Sequence, residues 1–234
     1  MRCTRCGREA ADADKFCAEC GLFLRDAFVD HRLLHALSQR PEGNYREARR
    51  ELERLVEMEP DHALANHLLG TVYFRQGTLD QAIERYRKAL EIAPRFLECS
   101  YDLGVACHHR GLMPEAIRAF QRCLDIDPNY NAAHYRLGIT LFHVGQVERA
   151  LEHFEKCRAL TPEYVSLRYH IGIIYEWMED WDAAAREFQR SVDDGIEIVS
   201  SLHHLAHIHK SRGDEAQAAA LLERAKQIGQ SNTR

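Results

Sequence analysis

Residues 66–94 read NHLLGTVYFRQGTLDQAIERYRKALEIAP, and two later stretches repeat their pattern. Residues 100–128 read SYDLGVACHHRGLMPEAIRAFQRCLDIDP, and residues 134–162 read HYRLGITLFHVGQVERALEHFEKCRALTP. Residues at five positions recur at a spacing of 34: Gly70, Gly104 and Gly138; Gly77, Gly111 and Gly145; Ala82, Ala116 and Ala150; Tyr86, Phe120 and Phe154; Pro94, Pro128 and Pro162. A fixed period of this length indicates an array of stacked repeats.

The recurring residues predict a unit of two helices, A and B, joined by a tight turn. Small residues such as Gly70 and Ala82 allow the two helices to approach closely. Gly77 suits the turn between the helices, because glycine adopts positive φ readily. Pro94 ends helix B, since proline lacks the N–H that would continue it. One such unit cannot bury its apolar face alone, so we expect the units to stack.

The pattern extends in both directions, through Gly172 and Phe188 towards the C-terminus and Ala48 and Leu52 towards the N-terminus. It resembles the tetratricopeptide repeat (TPR), a helix–turn–helix unit of 34 residues, and residues 29–232 hold six such units without an insertion. The resemblance implies an all-α fold, a right-handed solenoid of about six TPR units preceded by a small zinc ribbon over residues 1–28. The predicted units are 29–62, 63–96, 97–130, 131–164, 165–198 and 199–232.

Three units depart from the family pattern. The first has His35 where the family has leucine, and Pro41 lies near its inter-helix turn. The fifth has Glu179 in place of the turn glycine and Ile196 in place of the closing proline. The sixth is short of large apolar residues, as expected of a terminal unit with a wetter outer face.

The resemblance also implies a function, because TPR proteins usually bind a peptide or a helix of a partner along the concave face of their A helices. The chain is therefore expected to be a non-enzymatic scaffold or adaptor for protein–protein interaction. By family geometry, the groove-facing residues are His67, Thr71, Phe74, Tyr101, Val105, His108, Tyr135, Ile139, Phe142, Tyr169, Ile173, His203 and His207.

These residues form an aromatic and aliphatic stripe with histidines at its edges. Family members that clamp a terminal carboxylate carry Lys, Asn and Arg at these positions, and this chain does not. The stripe therefore favours an apolar or amphipathic segment as the partner. Tyr101, Tyr135 and Tyr169 occupy the first groove-facing position of their A helices. A mainly structural role for them stays an equal alternative, since tyrosine at this position also packs on its neighbours.

The composition excludes several other function classes. The chain has 234 residues and a formal net charge of −5, which gives no long-range attraction for nucleic acid or anionic lipid. No apolar run approaches the ~18 residues of a membrane span. The N-terminal residues lack the apolar stretch of a secretory signal, so we expect a cytoplasmic protein. No phosphate-binding loop, paired-carboxylate motif or Ser-His-Asp arrangement appears, so no catalysis is expected.

Four cysteines near the N-terminus predict a structural Zn²⁺ site. Cys3, Cys6, Cys17 and Cys20 form two C-x-x-C pairs, each followed by glycine. Tetrahedral zinc takes four such thiolates, and glycine after each pair lets backbone N–H groups point at the sulfurs. The segment resembles short zinc-ribbon modules. A redox dithiol would need a βαβ context and a disulfide pair an oxidising compartment, and the sequence indicates neither.

The zinc segment allows an alternative function, a nucleic-acid-associated regulator in which the ribbon contacts DNA or RNA and the repeats recruit a partner. Basic and acidic side chains cancel within residues 1–28, which disfavours phosphate contact. The ribbon could instead cap the first unit or dock a second partner, and both alternatives stay open. A homodimer through the last unit is also open.

Fourteen histidines are present, and the stretch SLHHLAHIHK (201–210) holds four of them. His203 and His207 lie four residues apart, the spacing of a two-histidine metal site, but no carboxylate stands at a matching helical spacing. Groove-lining or surface imidazoles are therefore the favoured interpretation. Cys107, Cys123 and Cys157 occupy repeat positions that predict buried small side chains, whereas the repeat assigns no role to Cys99.

Overall fold

The structure, a computed structural model, describes residues 2, 3, 7–9, 17 and 45–231. These residues contain eleven α-helices and no strand, apart from one antiparallel bridge between Arg2 and Glu9. The helices are α1 (Tyr45–Met58), α2 (Ala63–Arg75), α3 (Leu79–Ile92), α4 (Leu97–Arg110), α5 (Met113–Ile126), α6 (Asn131–His143), α7 (Val147–Leu160), α8 (Leu167–Trp177), α9 (Trp181–Asp193), α10 (Ile198–Ser211) and α11 (Glu215–Ser231).

The all-α fold of helical hairpins is confirmed. Helices α2, α4, α6, α8 and α10 occupy the predicted A positions, and the odd-numbered helices occupy the B positions. The predicted A helix of the first unit and most of the predicted zinc ribbon lie outside the described residues. The chain divides into two compact units, Met1–Arg136 and Leu137–Arg234, with the boundary inside α6.

Neighbouring helices pack in chain order within each compact unit. In the first, α1 packs on α2, α2 on α3, α3 on α4, and α4 on α5; in the second, α7 packs on α8, α8 on α9, α9 on α10, and α10 on α11. This order follows from the short connections, because a short loop holds two consecutive helices side by side.

Glycines on the A helices lie directly beneath aromatic rings of the B helices. A Cβ atom on Gly104 would stand 2.5 Å from Cε1 of Phe120, and one on Gly172 would stand 2.8 Å from Cε1 of Phe188. Gly70 and Gly138 meet Tyr86 and Phe154 in the same way. These four rings are fully buried. Each of these aromatic residues therefore packs against a glycine of its own repeat.

The turns between A and B helices need positive φ. Gly77, Gly111, Gly145 and Gly213 adopt φ values between 76° and 82° at these turns. Glu179 takes the same place in the fifth unit and has a φ of 61°. Left-handed backbone costs a residue with a side chain roughly 1–2 kcal/mol, so this turn is strained where the others are not.

Replacing Glu179 with glycine is expected to raise the free energy of unfolding by about 0.5–1 kcal/mol, because the relief of strain exceeds the added freedom of the unfolded chain. Urea denaturation followed by circular dichroism measures the change. Glu179→Ala is the matched control, since it removes the same carboxylate but keeps a Cβ atom at positive φ. An equal gain from both variants would assign the effect to the carboxylate and contradict the prediction.

The cysteines within the helices are buried side chains. Cys99, Cys107, Cys123 and Cys157 are all fully buried, as their repeat positions predict for the last three. The repeat pattern assigns no role to Cys99. Its thiol donates to the carbonyl oxygen of Tyr86 at 3.4 Å, so Cys99 forms a hydrogen bond between α4 and α3. Burial raises the pKa of the Cys107 and Cys123 thiols to about 12, so both stay protonated at neutral pH.

Candidate protein-binding face

The predicted groove residues all lie on A helices, and most are partly exposed. Tyr101, Tyr135 and Tyr169 are half-buried at the first position, and Val105, Ile139 and Ile173 are half-buried at the second. Phe74, His108 and Phe142 are half-buried at the third position. The two ends of the series differ, because His67 is buried whereas His203 and His207 are exposed.

His67 is held by contacts with other residues of the chain. Its Nε2 donates to Oδ2 of Asp102 at 2.7 Å, across the interface between α2 and α4. Its ring centroid lies 4.8 Å from that of Phe96 in an edge-on arrangement and 5.6 Å from that of Tyr86. His67 is therefore a packing residue that ties one unit to the next. The sequence did not indicate Asp102, because its partner is 35 residues away.

Two more predicted residues of the first compact unit have internal partners. The Thr71 hydroxyl donates to the His67 carbonyl at 3.1 Å and accepts from the Tyr86 hydroxyl at 3.3 Å. The Tyr101 ring lies edge-on to Tyr130 with centroids 5.6 Å apart. Both side chains are rigid parts of the A-helix surface, and a surface fixed in advance loses little entropy when a partner binds.

In the second compact unit, the predicted face is continuous with the hydrophobic core. Tyr169 and Ile173 pack against the cluster that contains the fully buried Phe188 and Leu202. The Tyr169 ring also lies 5.8 Å from that of His204 in an edge-on arrangement. These side chains are half-buried, so their inner parts stabilise the fold while their outer parts remain available to a ligand.

A carboxylate of α8 joins two histidines of α10. Nδ1 of His204 donates to Oε2 of Glu176 at 2.6 Å, and Nδ1 of His207 donates to Oε1 at 3.1 Å. Glu176 lies 28 and 31 residues from these partners, which is why no helical spacing revealed it. In the described part of the chain, no group of three or more His, Cys, Asp and Glu side chains is placed to hold a metal ion.

The described residues of the N-terminal segment form a tight knuckle. Gly7 has a φ of 73°, its N–H donates to the Cys3 carbonyl at 2.9 Å, and the Cys3 N–H donates to the Arg8 carbonyl at 2.9 Å. Cys3 and Cys17 are both buried. This is the backbone shape expected of a C-x-x-C-Gly zinc knuckle, and Cys3 and Cys17 fit the donor set. Cys6 and Cys20 lie outside the described residues, so the zinc site stays a prediction.

Comparison with protein families decides the identity of the repeats. Four models described as tetratricopeptide repeat match residues 33–95, 73–137, 132–164 and 198–231. The chain belongs to the tetratricopeptide repeat family. The predicted fifth unit lies between the matched ranges, and its helices α8 and α9 pack on each other.

Solved structures share this TPR fold at low sequence identity. PilF of Pseudomonas aeruginosa is 21% identical over 85% of this chain and 90% of its own, with a TM-score of 0.70. MamA of Desulfovibrio magneticus (residue 41 to the end) is 23% identical over 72% of this chain and 96% of its own, with a TM-score of 0.69. YrrB, described as a TPR protein with an unusual peptide-binding site, is 18% identical over 76% and 91%, with a TM-score of 0.66. No curated protein sequence matches the chain.

None of the helices described in this TPR protein is long and apolar enough to cross a membrane.

His170 of α8 makes the stability of this TPR protein depend on pH. Burial lowers the pKa of its imidazole below the usual value, and its hydrogen bond to the Ser166 carbonyl at 3.2 Å opposes that shift only in part. The unfolded chain therefore takes up a proton at His170 more readily than the folded chain does. Stability is fully present above the ordinary histidine pKa of about 6.5 and is lost as the pH falls below it.

Replacing His170 with glutamine is expected to reduce this pH dependence. The loss of unfolding free energy between about pH 7.5 and about pH 5.5 should be smaller in the variant by up to about 1 kcal/mol. Urea denaturation at both pH values measures it, and equal losses in variant and wild type would contradict the assignment.

Proposed function

We propose that this chain is a non-enzymatic scaffold that binds a peptide or a helix of a protein partner on its A helices. Members of the TPR family usually act as protein-interaction scaffolds. The observation that carries the proposal is the set of apolar side chains left half-exposed at the same A-helix position, Val105, Ile139 and Ile173. Apolar side chains that stay partly in water can gain further burial only by contact with another molecule.

The same residues support an apolar or amphipathic partner segment. An amphipathic helix places its apolar side chains at a spacing of three or four residues, which suits half-buried apolar side chains such as Ile139 and Ile173 on the A helices of the second compact unit. His67 and Thr71 are engaged in hydrogen bonds and Tyr101 in a ring contact, so the half-buried Val105 is the better candidate for contact with the partner in the first compact unit.

A pair of matched variants tests the scaffold function. Val105→Glu places a charge on the A-helix face, and Leu112→Glu places the same charge on a side chain that is 39% exposed in the turn between α4 and α5. Proteins captured from the native cell by wild type and by Leu112→Glu, but not by Val105→Glu, would support binding on the A helices. Circular dichroism confirms that both variants fold. Equal capture by all three proteins would overturn the proposal.

We also propose that Cys3, Cys6, Cys17 and Cys20 hold a structural zinc ion, in a cytoplasmic protein whose thiols stay reduced. Support comes from the buried Cys3 and Cys17 and from the positive φ of Gly7. Zinc would hold the segment together by cross-linking two knuckles, since so few residues cannot fold through core burial alone.

The zinc proposal predicts equimolar metal in the purified chain. Cys3→Ser/Cys17→Ser is expected to abolish zinc binding, because two of four thiolates are lost. Cys123→Ala is the control, since this buried thiol belongs to helix α5 and should leave the zinc content unchanged. Elemental analysis of the three proteins measures the ratio. Metal-free wild type purified without chelators would contradict the proposal.

A further inference from the structure

Trp177 is a large aromatic side chain left in solvent at the end of an A helix. It is the last residue of α8, and it is 69% exposed. Its ring lies 5.9 Å from that of Phe142 at an interplanar angle of 87°, so the two rings meet edge to face. Met178 follows and is 42% exposed. Tryptophan is the residue type most enriched among the side chains that dominate binding energies at protein interfaces.

Acidic residues flank Trp177 in the sequence. The segment from Glu176 to Asp182 reads EWMEDWD, which holds four acidic residues and no basic one. Glu176 is hydrogen-bonded to His204 and His207, and Asp182 pairs with Arg212 at 2.7 Å.

The other two acidic residues, Glu179 and Asp180, stand two and three positions after Trp177 in the chain. Asp180 caps α9 by accepting from the Ala183 N–H at 3.0 Å, and it makes no ion pair within the described part of the chain. Glu179 is exposed and likewise makes no ion pair with any described residue. The segment that begins at Trp177 therefore combines an exposed aromatic side chain with two exposed carboxylates that pair with no described basic side chain.

We propose that Trp177 and Phe142, together with the carboxylates of Glu179 and Asp180, form a docking site for an arginine side chain of a protein partner. A guanidinium stacks on an aromatic face and is attracted by its negative quadrupole. The nearby carboxylates add charge complementarity and supply hydrogen-bond acceptors. Phosphate-bearing ligands such as nucleic acid are repelled by the same charges.

The arginine site lies in the second compact unit and defines the chemistry of the partner segment that binds there. The proposal rests on the proposed scaffold function. The half-exposed Ile139 and Ile173 lie on the same A helices as Phe142 and Trp177. The partner segment is thus inferred to carry arginine beside apolar residues.

The test uses the full chain and a fluorescein-labelled decapeptide of alternating arginine and leucine, with binding followed by fluorescence anisotropy. Trp177→Ala is expected to raise the Kd about tenfold, because the aromatic face is lost. Glu179→Gln is expected to raise it about threefold, because one exposed carboxylate is lost. Glu163→Gln and Met58→Ala are the matched controls for net charge and for exposed apolar surface, and both should stay within about twofold of wild type.

A second peptide, with citrulline in place of arginine, separates charge from shape. It should bind wild type at least about tenfold more weakly, since citrulline keeps the planar head group but not the charge. Equal binding of the two peptides, equal effects of Glu179→Gln and Glu163→Gln, or no binding of the arginine peptide would overturn the site. Capture of partners that is abolished by Val105→Glu but unaffected by Trp177→Ala would overturn the arginine site while leaving the scaffold function intact.

Discussion

Phe188→Ala is expected to lower the free energy of unfolding by about 3–5 kcal/mol. The Phe188 side chain is fully buried, and it connects three elements of the second compact unit. Its ring lies against the backbone of Gly172 on α8, and it stacks on His204 of α10 with centroids 4.6 Å apart and planes 9° from parallel. Truncation would leave a cavity beside Gly172 that the glycine cannot fill, since it has no side chain to move.

Urea denaturation monitored by circular dichroism measures the loss. Trp177→Ala is the control within the same compact unit, because it removes a larger aromatic side chain from an exposed place. Its effect on the free energy of unfolding is expected to stay within about 0.5 kcal/mol. If Phe188→Ala and Trp177→Ala lowered the free energy of unfolding by similar amounts, Trp177 would be a packing residue and not one available for binding.

Gly104→Ala is expected to destabilise the chain by about 2 kcal/mol, although alanine favours helix over glycine by up to about 1 kcal/mol. The added Cβ would stand 2.5 Å from Cε1 and 2.7 Å from Cδ1 of Phe120. The Phe120 ring is fully buried, so it cannot move aside without disturbing the packing of α4 on α5. Urea denaturation of the variant and of wild type measures the difference in their free energies of unfolding.

Gly229→Ala makes the same chemical change where space is free. Gly229 lies in α11, and no atom stands within 4 Å of the position its Cβ would take. This variant is expected to be stabilised by up to about 1 kcal/mol, so the two substitutions should have opposite signs. Combining Gly104→Ala with Phe120→Leu should cost less than the sum of the single changes, because the smaller side chain makes room for the methyl group. If Gly104→Ala and Gly229→Ala changed the free energy of unfolding in the same direction, the predicted steric conflict with Phe120 would be refuted.

The sequence predicted the close approach of the two helices within one repeat, from small residues such as Gly70 and Ala82. The structure showed that the residue facing each A-helix glycine is an aromatic of the same repeat, as with Gly104 and Phe120. These two residues stand sixteen positions apart, and the turn at Gly111 brings their helices together. The exposed Trp177 has no counterpart in the repeat pattern, so the pattern does not single it out. It became a candidate for binding only when its exposure and its contact with Phe142 were seen.

By itself, the sequence determined that the chain is an array of helical hairpins, because glycine, alanine, aromatic and proline residues at a constant spacing satisfy the steric needs of each hairpin locally. The tertiary structure alone decided which side chains of neighbouring units meet. His67 with Asp102, Glu176 with His204 and His207, and Phe142 with Trp177 are pairs joined across units. Their meeting depends on the angle at which one A helix packs beside the next, and this angle follows from the packing of whole side chains rather than from spacing along the chain.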